Sequence, residues 1–549
     1  MRAFFSRPGV QRAALYAALA LVSTALFAAH VHGEFVWDDI PYAHECKMLH
    51  TGDGWWRLFV SETVEIAEGK RQDRYHPIPM FSLWLQMRFS DAIEWLRAGN
   101  IAIHVVNVAL FARILERVGL QRSTVLFTAL AFAVHPLVTE PVMLITGRHD
   151  SVAVAFMLAA LVVGALHPHG RSPLRVALTG LLVLAACISK ESAAAAPLVF
   201  CVAAWLTDRG SPDARARGSV PPAIAMAAPF AGVAFTLLIR RALDIRSSNG
   251  AMHSHLPDHV RNLGTILAGY ARYVVTFSQG PTTRLYAPLG LAAALVVLVA
   301  TGTIIVGMLV RVVRGARARG WSWADRVLLG LAWFVLVLGP YVIAVPVTGR
   351  WGNRYGYLAC MGLLLAFASV FEVSIVRLRK ELRATLALVM VALLSFGALG
   401  TSIGAGHWRD SLSLFYEDVE QEPRNGYALF NLGVAVQRKR GCEAALEIFL
   451  RAAEHDPKNP LLMGPTSMCL SQLGRLVEAE KYAERGVNLH PREIAAIALL
   501  ADLRLRLGRL EEAAAVVRYG LDLYPDSEEL QRAAISIRSA MAVSPLSDD

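Results

Sequence analysis

Charged residues are scarce in this sequence. Only 18% of its 549 residues are Asp, Glu, Lys or Arg, against about 25% in an ordinary soluble chain. Residues 13–29, 285–310, 327–349 and 384–406 contain none. Uncharged stretches of that length exclude an ordinary soluble enzyme and a disordered chain. With 6 cysteines in the whole sequence, they also exclude a secreted disulfide scaffold. A large cationic surplus is missing too. Lys and Arg number 54 against 44 Asp and Glu, and much of the excess lies in short Arg clusters between apolar runs. That is the look of membrane-protein loops, so nucleic acid is set aside as a partner.

What is present is apolar length. A bilayer core needs about 20 mostly apolar residues per helix. Besides the four uncharged runs, residues 98–112, 124–145, 151–166, 176–189, 192–206, 221–239 and 355–371 qualify as shorter or partly polar candidates, giving eleven expected spans. Arg2, Arg7 and Arg12 precede the first run. By the positive-inside rule this places the N-terminus in the cytoplasm. No convincing small-residue cleavage site follows, so the first run is expected to stay as an anchor. Alternating from there, Arg113/Arg117/Arg122, Arg171/Arg175, Arg209/Arg215/Arg217, Arg311/Arg314/Arg317/Arg319 and Arg377/Arg379/Lys380/Arg383 all fall on the same side. An odd number of spans then puts the C-terminal part outside. Two outer loops are long, 34–97 and 240–284; the second carries His253, His255, His259 and Arg261. Within them, residues 81–87 and 266–277 read as helices lying at the interface.

From about residue 410 the balance reverses and the chain reads as soluble. Pro423, Pro457, Pro491 and Pro525 recur every 34 residues, the tetratricopeptide period. Leu432-Gly433, Ala445, Phe449 and Ala452 fit the motif, as do Gly474 and Ala479, and Leu500, Gly508 and Ala513. Three repeats are expected at 426–459, 460–493 and 494–527, capped by a helix at 528–541, after a linker at 407–425 and before a tail at 542–549. Such arrays present a concave surface suited to peptides. Cys442 begins the second helix of repeat one, and Cys469 lies late in the first helix of repeat two. Antiparallel packing brings these ends together, so the pair reads either as a disulfide or as two buried thiols.

Ionisable residues at membrane depth are functional candidates. They fall here in compact groups: Asp38-Asp39; Tyr75-His76-Pro77-Ile78; Asn100, His104 and Asn107 on one helix face; His135-Pro136 with Thr139-Glu140; Gly147-Arg148-His149-Asp150; Lys190-Glu191; and Arg354-Tyr355-Gly356-Tyr357. All but the helix-face trio sit at expected outer ends of spans. Either Asp38 or Asp39 fits a general base, its neighbour orienting it or binding a divalent metal. Arg148, Lys190 and Arg354 fit cations for a phosphate or pyrophosphate at the membrane surface. An acid that activates a hydroxyl beside such cations describes glycosyl transfer from a lipid-phosphate sugar.

In this order the pieces resemble the transmembrane and tetratricopeptide-repeat O-mannosyltransferases of the membrane C-type glycosyltransferase superfamily. The matching stretches are 35–39, 75–78, the Asn100/His104/Asn107 trio, 135–140 with 147–150, 189–191 and 353–358, with Trp408-Arg409-Asp410 leading into the repeats. The chain looks like a bacterial relative. The resemblance implies an all-α fold, with a polytopic bundle over 1–406 followed by the repeat superhelix. It implies a polyprenyl- or dolichyl-phosphate sugar donor, a protein Ser/Thr acceptor, and a catalytic acidic pair on the lumenal or periplasmic face. The family's Arg is His76 here, and its Asp or Glu before Arg-Tyr is Asn353. The expected protein is a multi-pass glycosyltransferase of a Gram-negative-type inner membrane with periplasmic repeats. A non-catalytic scaffold and a lipid-linked glycan ligase or exporter remain as other readings.

Overall fold

The computed structural model describes residues 8–60, 63–65, 71–73, 75–167, 172–209, 220–243, 256–284, 287–315, 320–342 and 351–543. Arg2, Arg7, Arg171, Arg215, Arg217, His253, His255, Arg317 and Arg319 lie outside them. The fold is all-α apart from one short antiparallel hairpin, Thr63–Glu65 with Arg71–Asp73. The chain divides into two compact units, Met1–Asp410 and Ser411–Asp549.

Each apolar run of the first unit contains a helix among the described residues: α1 Pro8–Ala28, α2 Ile93–Arg117, α3 Arg122–Ala133, α4 Arg148–Ala160, α5 Pro173–Ser189, α6 Ala196–Arg209, α7 Pro222–Ala242, α8 Leu291–Arg314, α9 Trp323–Leu338, α10 Gly356–Val376 and α11 Lys380–His407. By length and composition, seven helices among the described residues can cross a membrane, or eight with the bent pair Arg122–Ala133 and Pro136–Met143 taken as one span. The remaining runs, α5, α6 and α9, have described lengths of 17, 14 and 16 residues. The bend after α3 is 55° and falls at His135-Pro136. Proline removes a backbone donor and pushes the preceding residue out of the α region, so the chain restarts as a 3₁₀ turn, Pro136–Val138, and a short helix, Thr139–Met143.

Helices in lipid pack through small residues. Gly330 of α9 and Gly362 of α10 lie backbone to backbone: a Cβ on Gly362 would meet the Gly330 carbonyl at 2.7 Å. By contrast Leu295, Val296, Val299, Ile304 and Val306 of α8 are exposed, as are Leu388, Val391, Phe396 and Leu399 of α11. These are lipid-facing surfaces in a membrane protein.

Polar contacts separate two ends of the bundle. At one end Arg12 pairs with Glu116 at 3.2 Å, Arg122 bonds Gln11, and Arg326 pairs with Glu372 at 3.0 Å, which also accepts the Gln121 N–H at 2.8 Å. The starts of α1, α3 and α9 and the ends of α2 and α10 are therefore neighbours. At the other end buried Arg97 donates to the carbonyls of Val31, His32, Glu34, Met143 and Trp408, and His30 Nε2 lies 2.9 Å from Ser402 Oγ. The expected interfacial pieces are longer helices, Pro77–Met87 and Leu256–Thr276. The second buries Ile266, Leu267, Tyr270, Tyr273 and Val274 while Val275 stays exposed.

The second unit begins with a correction. Most of the expected 407–425 linker is helix, α12 Ser411–Gln421, because Leu414 and Phe415 give it a buried face. The repeats follow as α13 Gly426–Arg440 and α14 Cys442–His455, α15 Met463–Gln472 and α16 Leu476–Leu489, α17 Ile494–Arg506 and α18 Leu510–Leu523, with α19 Glu528–Val543 as cap. The prolines show why the period is visible. Asp456, His490 and Tyr524, each just before a Pro, end their helices with ψ of 67°, 78° and 73°. Gly433 admits the Phe449 ring, which a Cβ would meet at 2.6 Å. Cys442 and Cys469 form a disulfide with Cα atoms 4.9 Å apart. Repeats two and three share an ionic contact: buried Glu480 takes Arg504 at 3.1 Å and Arg509 at 2.8 Å.

Candidate active site

The site lies at the end of the bundle opposite the Arg-rich turns, where α2, α4, α5 and α10 begin or end. It has a buried polar floor and an accessible mouth.

The floor explains the helix-face trio. Between the Thr139–Met143 helix and α4 the chain runs through a 3₁₀ turn, Ile145–Gly147, and α2 reaches the carbonyls at its start. Asn100 donates Nδ2 to the Leu144 carbonyl at 2.7 Å and the Ile145 carbonyl at 3.3 Å. Asn107 donates to the Ser151 carbonyl at 2.9 Å and to the Tyr357 hydroxyl at 3.2 Å. That hydroxyl lies 2.7 Å from His104 Nδ1, and His104 Nε2 lies 3.4 Å from the Ala133 carbonyl. His104 and Tyr357 are both 0% exposed, so they hold α2, α3 and α10 together rather than face the mouth. His135 is equally buried; its Nδ1 caps the 3₁₀ turn by accepting the Leu137 N–H at 3.2 Å.

Arg148 also belongs to the floor. It is 2% exposed. Nε donates to Asn100 Oδ1 at 2.7 Å, and Nη2 donates to Gln86 Oε1 at 2.6 Å and the Leu96 carbonyl at 2.8 Å. Its donors bind protein, so the structure does not bring it together with Lys190 and Arg354.

The acidic pair divides. Asp39 is 0% exposed. Its Oδ2 accepts the Ile145 N–H at 2.9 Å and its Oδ1 accepts the Thr146 N–H at 2.8 Å. Burial pushes this carboxyl up to about 7, against the pull of those N–H groups and of Arg97. Asp38 is only half-buried, and among the described residues its carboxylate has no hydrogen-bond partner. Trp37, just before the pair, has a φ of 50°, which is uncommon for a non-glycine residue and is a form of local strain that clusters at functional sites.

At the mouth, Arg354 Nη1 pairs with Glu140 Oε1 at 2.7 Å, and its backbone N–H donates to Glu140 Oε2 at 3.2 Å. Its guanidinium lies over the Trp37 ring at 5.4 Å and the Tyr355 ring at 5.5 Å. Trp37 is the residue before Asp38, so Arg354 lies beside the half-buried acid of the pair. Asp150 Oδ2 sits between Lys190 Nζ at 3.6 Å and Arg354 Nε at 3.9 Å. His76 Nε2 lies 3.0 Å from Glu191 Oε2, and its ring is 4.8 Å from that of His149. Arg240 reaches Glu191 at 3.1 Å. Asp38, Glu140, Asp150, Lys190, Arg354 and Tyr355 thus come together, with His76 and Glu191 bonded at one side. Arg97, Gln86, Arg240 and Tyr341, which stacks on Tyr355 at 4.2 Å, were not singled out from sequence. A charge inside a predicted apolar helix would have flagged Arg97 had the second span been drawn from its true start at Ile93. Among the described residues no three His, Cys, Asp or Glu side chains gather as a metal-ligand set.

No family model matches the chain. It is 23% identical to the human protein O-mannosyl-transferase TMTC3 over 92% of this chain and 60% of that protein. It is 24% identical to the protein O-mannosyl-transferase F38B6.6 of Caenorhabditis elegans over 34% of this chain and 27% of that protein. It is 30% identical to mouse TMTC1 over 28% of this chain and 17% of that protein. The chain therefore spans about 60% of the length of the first of these relatives. Among solved structures, the first TPR of Spaghetti (RPAP3) bound to an HSP90 peptide aligns with 22% of this chain and 97% of its own, at 23% identity and a TM-score of 0.21.

Proposed function

We propose that this chain, a distant relative of the transmembrane and tetratricopeptide-repeat O-mannosyltransferases, is a membrane glycosyltransferase. It moves a sugar from a polyprenyl-phosphate donor to a hydroxyl acceptor, a protein Ser or Thr, on the periplasmic face of a bacterial inner membrane. The observation that carries the reading is the meeting of Arg354, Lys190 and Asp150, from three separate stretches of chain, at one end of an apolar bundle, with Arg354 lying over Trp37, the residue before Asp38. The disulfide supports an oxidising compartment for the repeats.

In this reading Asp38 is the base, because general-base geometry must come before pKa and both Asp39 oxygens are taken by backbone N–H groups. Asp38 takes the proton of the acceptor hydroxyl. The freed oxygen forms a bond to the anomeric carbon as the bond from that carbon to the phosphate oxygen breaks. The electron pair leaves with polyprenyl phosphate, whose charge Arg354 and Lys190 stabilise. One displacement inverts the anomeric centre. The repeats hold the acceptor and raise its local concentration.

The test is transfer of labelled sugar from synthetic polyprenyl phosphate, with a nucleotide sugar as the contrasting donor, to peptide and to glycan acceptors. Peptide labelling from the lipid donor alone supports the reading. Transfer only to glycan would replace it with a lipid-linked glycan ligase. No transfer from any donor would replace it with a scaffold.

A further inference from the structure

Arg354 belongs to a stretch whose backbone is anchored residue by residue. The Trp351 N–H donates to the Arg284 carbonyl at 3.0 Å. The Gly352 carbonyl accepts the Tyr270 hydroxyl at 2.6 Å. Asn353 exchanges both amide atoms with Gly280: the Gly280 N–H donates to Oδ1 at 3.1 Å and Nδ2 donates to the Gly280 carbonyl at 2.9 Å. The Arg354 N–H then meets Glu140 Oε2 at 3.2 Å. Three of these four successive anchors come from one segment, the end of helix Leu256–Thr276 and the loop after it. That segment is itself wedged in place. Phe277, at φ 47°, lays its ring 4.9 Å from that of His135, and Arg284 covers Trp351 at 5.3 Å.

The anchors are chemically specific. Only an amide can both accept from and donate to the Gly280 backbone; a carboxylate would face the Gly280 carbonyl without a proton to give. The exchange with Gly280 supplies a physical reason for an amide at position 353. The Tyr270 hydroxyl is buried, and its bond to Gly352 fixes the residue two before Arg354. Small displacements of a group that must meet a charged ligand in one orientation are expensive in rate and affinity.

We infer that Tyr270 and Asn353 are positioning residues that aim Arg354 at the donor phosphate, the helix Leu256–Thr276 and its loop serving as the mount of the phosphate clamp. The inference rests on the donor reading given above. Both side chains act through Arg354 and neither is placed against the reacting atoms.

The experiment uses the full chain in lipid nanodiscs, with polyprenyl phosphate as the binding probe and the labelled donor for turnover. Tyr270→Phe removes one hydroxyl and keeps the ring. Asn353→Ala removes the amide, and Val275→Ala, at an exposed position of the same helix, serves as the control. Tyr270→Phe is expected to weaken polyprenyl phosphate binding by about 3- to 10-fold, the range of one lost neutral hydrogen bond, and Asn353→Ala, which loses two, by about 10-fold or more. The KM for donor should rise by the same factor, with acceptor KM unchanged and Val275→Ala at wild-type values. Unchanged phosphate affinity in a folded Tyr270→Phe protein overturns the inference, as does an acceptor KM that rises as much as the donor KM. A wild type that binds polyprenyl phosphate but transfers nothing removes the transferase reading and leaves the phosphate affinities to decide the positioning. A wild type that does not bind polyprenyl phosphate removes both.

Discussion

Replacing each acid of the pair by Asn should produce two different defects. At Asp39 the two backbone N–H groups of Ile145 and Thr146 point at two carboxylate oxygens, at 2.9 and 2.8 Å. An amide offers one oxygen and one NH₂, so one buried N–H must face a donor. That costs about 1–3 kcal/mol, and the change also deletes a negative charge that interacts with buried Arg97 and Arg148. At Asp38 no such bond is lost and the side chain is half-buried, so the fold should shift by no more than about 0.5 kcal/mol. Loss of a general base instead removes about 10²–10⁴ in rate, or roughly 3–5 kcal/mol of barrier. The assay pairs thermal unfolding of the purified protein with single-turnover transfer from saturating lipid donor. D38N should melt like wild type and turn over at 1% or less, the lower bound of that range. D39N should melt earlier and keep turnover in the fraction that stays folded. If D38N transfers sugar at the wild-type rate, or D39N is as stable as wild type, the division of roles between the two carboxylates is wrong.

Arg354→Lys should raise the donor KM by about tenfold or more, since lysine cannot keep the planar fork that serves Glu140 and phosphate together; an unchanged KM would take Arg354 out of the clamp. Arg148→Ala should fail at folding, not at donor binding. It strips donors from Asn100, Gln86 and Leu96, a loss of about 3 kcal/mol or more for hydrogen bonds to a charged group, so a stable variant with a selective donor defect would restore Arg148 to the phosphate site. A periplasm-active reporter fused after Ala405 should be active and a cytoplasm-active one silent; the reverse result overturns the orientation. Thiol labelling of oxidised protein should spare Cys442 and Cys469 until reduction, and reduction should then destabilise the repeat unit by about 3.5 kcal/mol for a 27-residue separation.

The features visible in sequence are those written in spacing. The 34-residue prolines announce the repeats because a proline forces the residue before it out of the helix, and the structure stops three helices at that point. The uncharged runs announce helices for the same reason of local chemistry. What spacing does not encode is direction. Asp38 and Asp39 are neighbours identical in composition, yet the N–H groups of Ile145 and Thr146 hold one in the floor and leave the other at the mouth. Arg148 and Arg354 look alike as cations at span ends; only the arrival of Asn100 and Gln86 from distant parts of the chain makes the first a structural group. Tyr270 lies more than eighty residues from the loop it holds, in a helix that the sequence marks as merely interfacial. Most of the expected 407–425 linker is helix, and its buried side chains include Leu414 and Phe415.

The disulfide lies between the first and second repeats and not within either, and that location sets how the array comes apart. In a solenoid each unit leans only on its neighbours, so melting proceeds by fraying from an end. A covalent tie across the first boundary takes that seam out of the process. The seam between the second and third repeats is held in part by Glu480 and its two arginines, an ionic contact that can reopen. Amide exchange should therefore be graded along the domain, slow through α13–α15 and progressively faster toward α18 and α19. Under reducing conditions the gradient should flatten first at the boundary where the sulfurs part. The far end of the array should thus be its compliant part and the near end its stiff one.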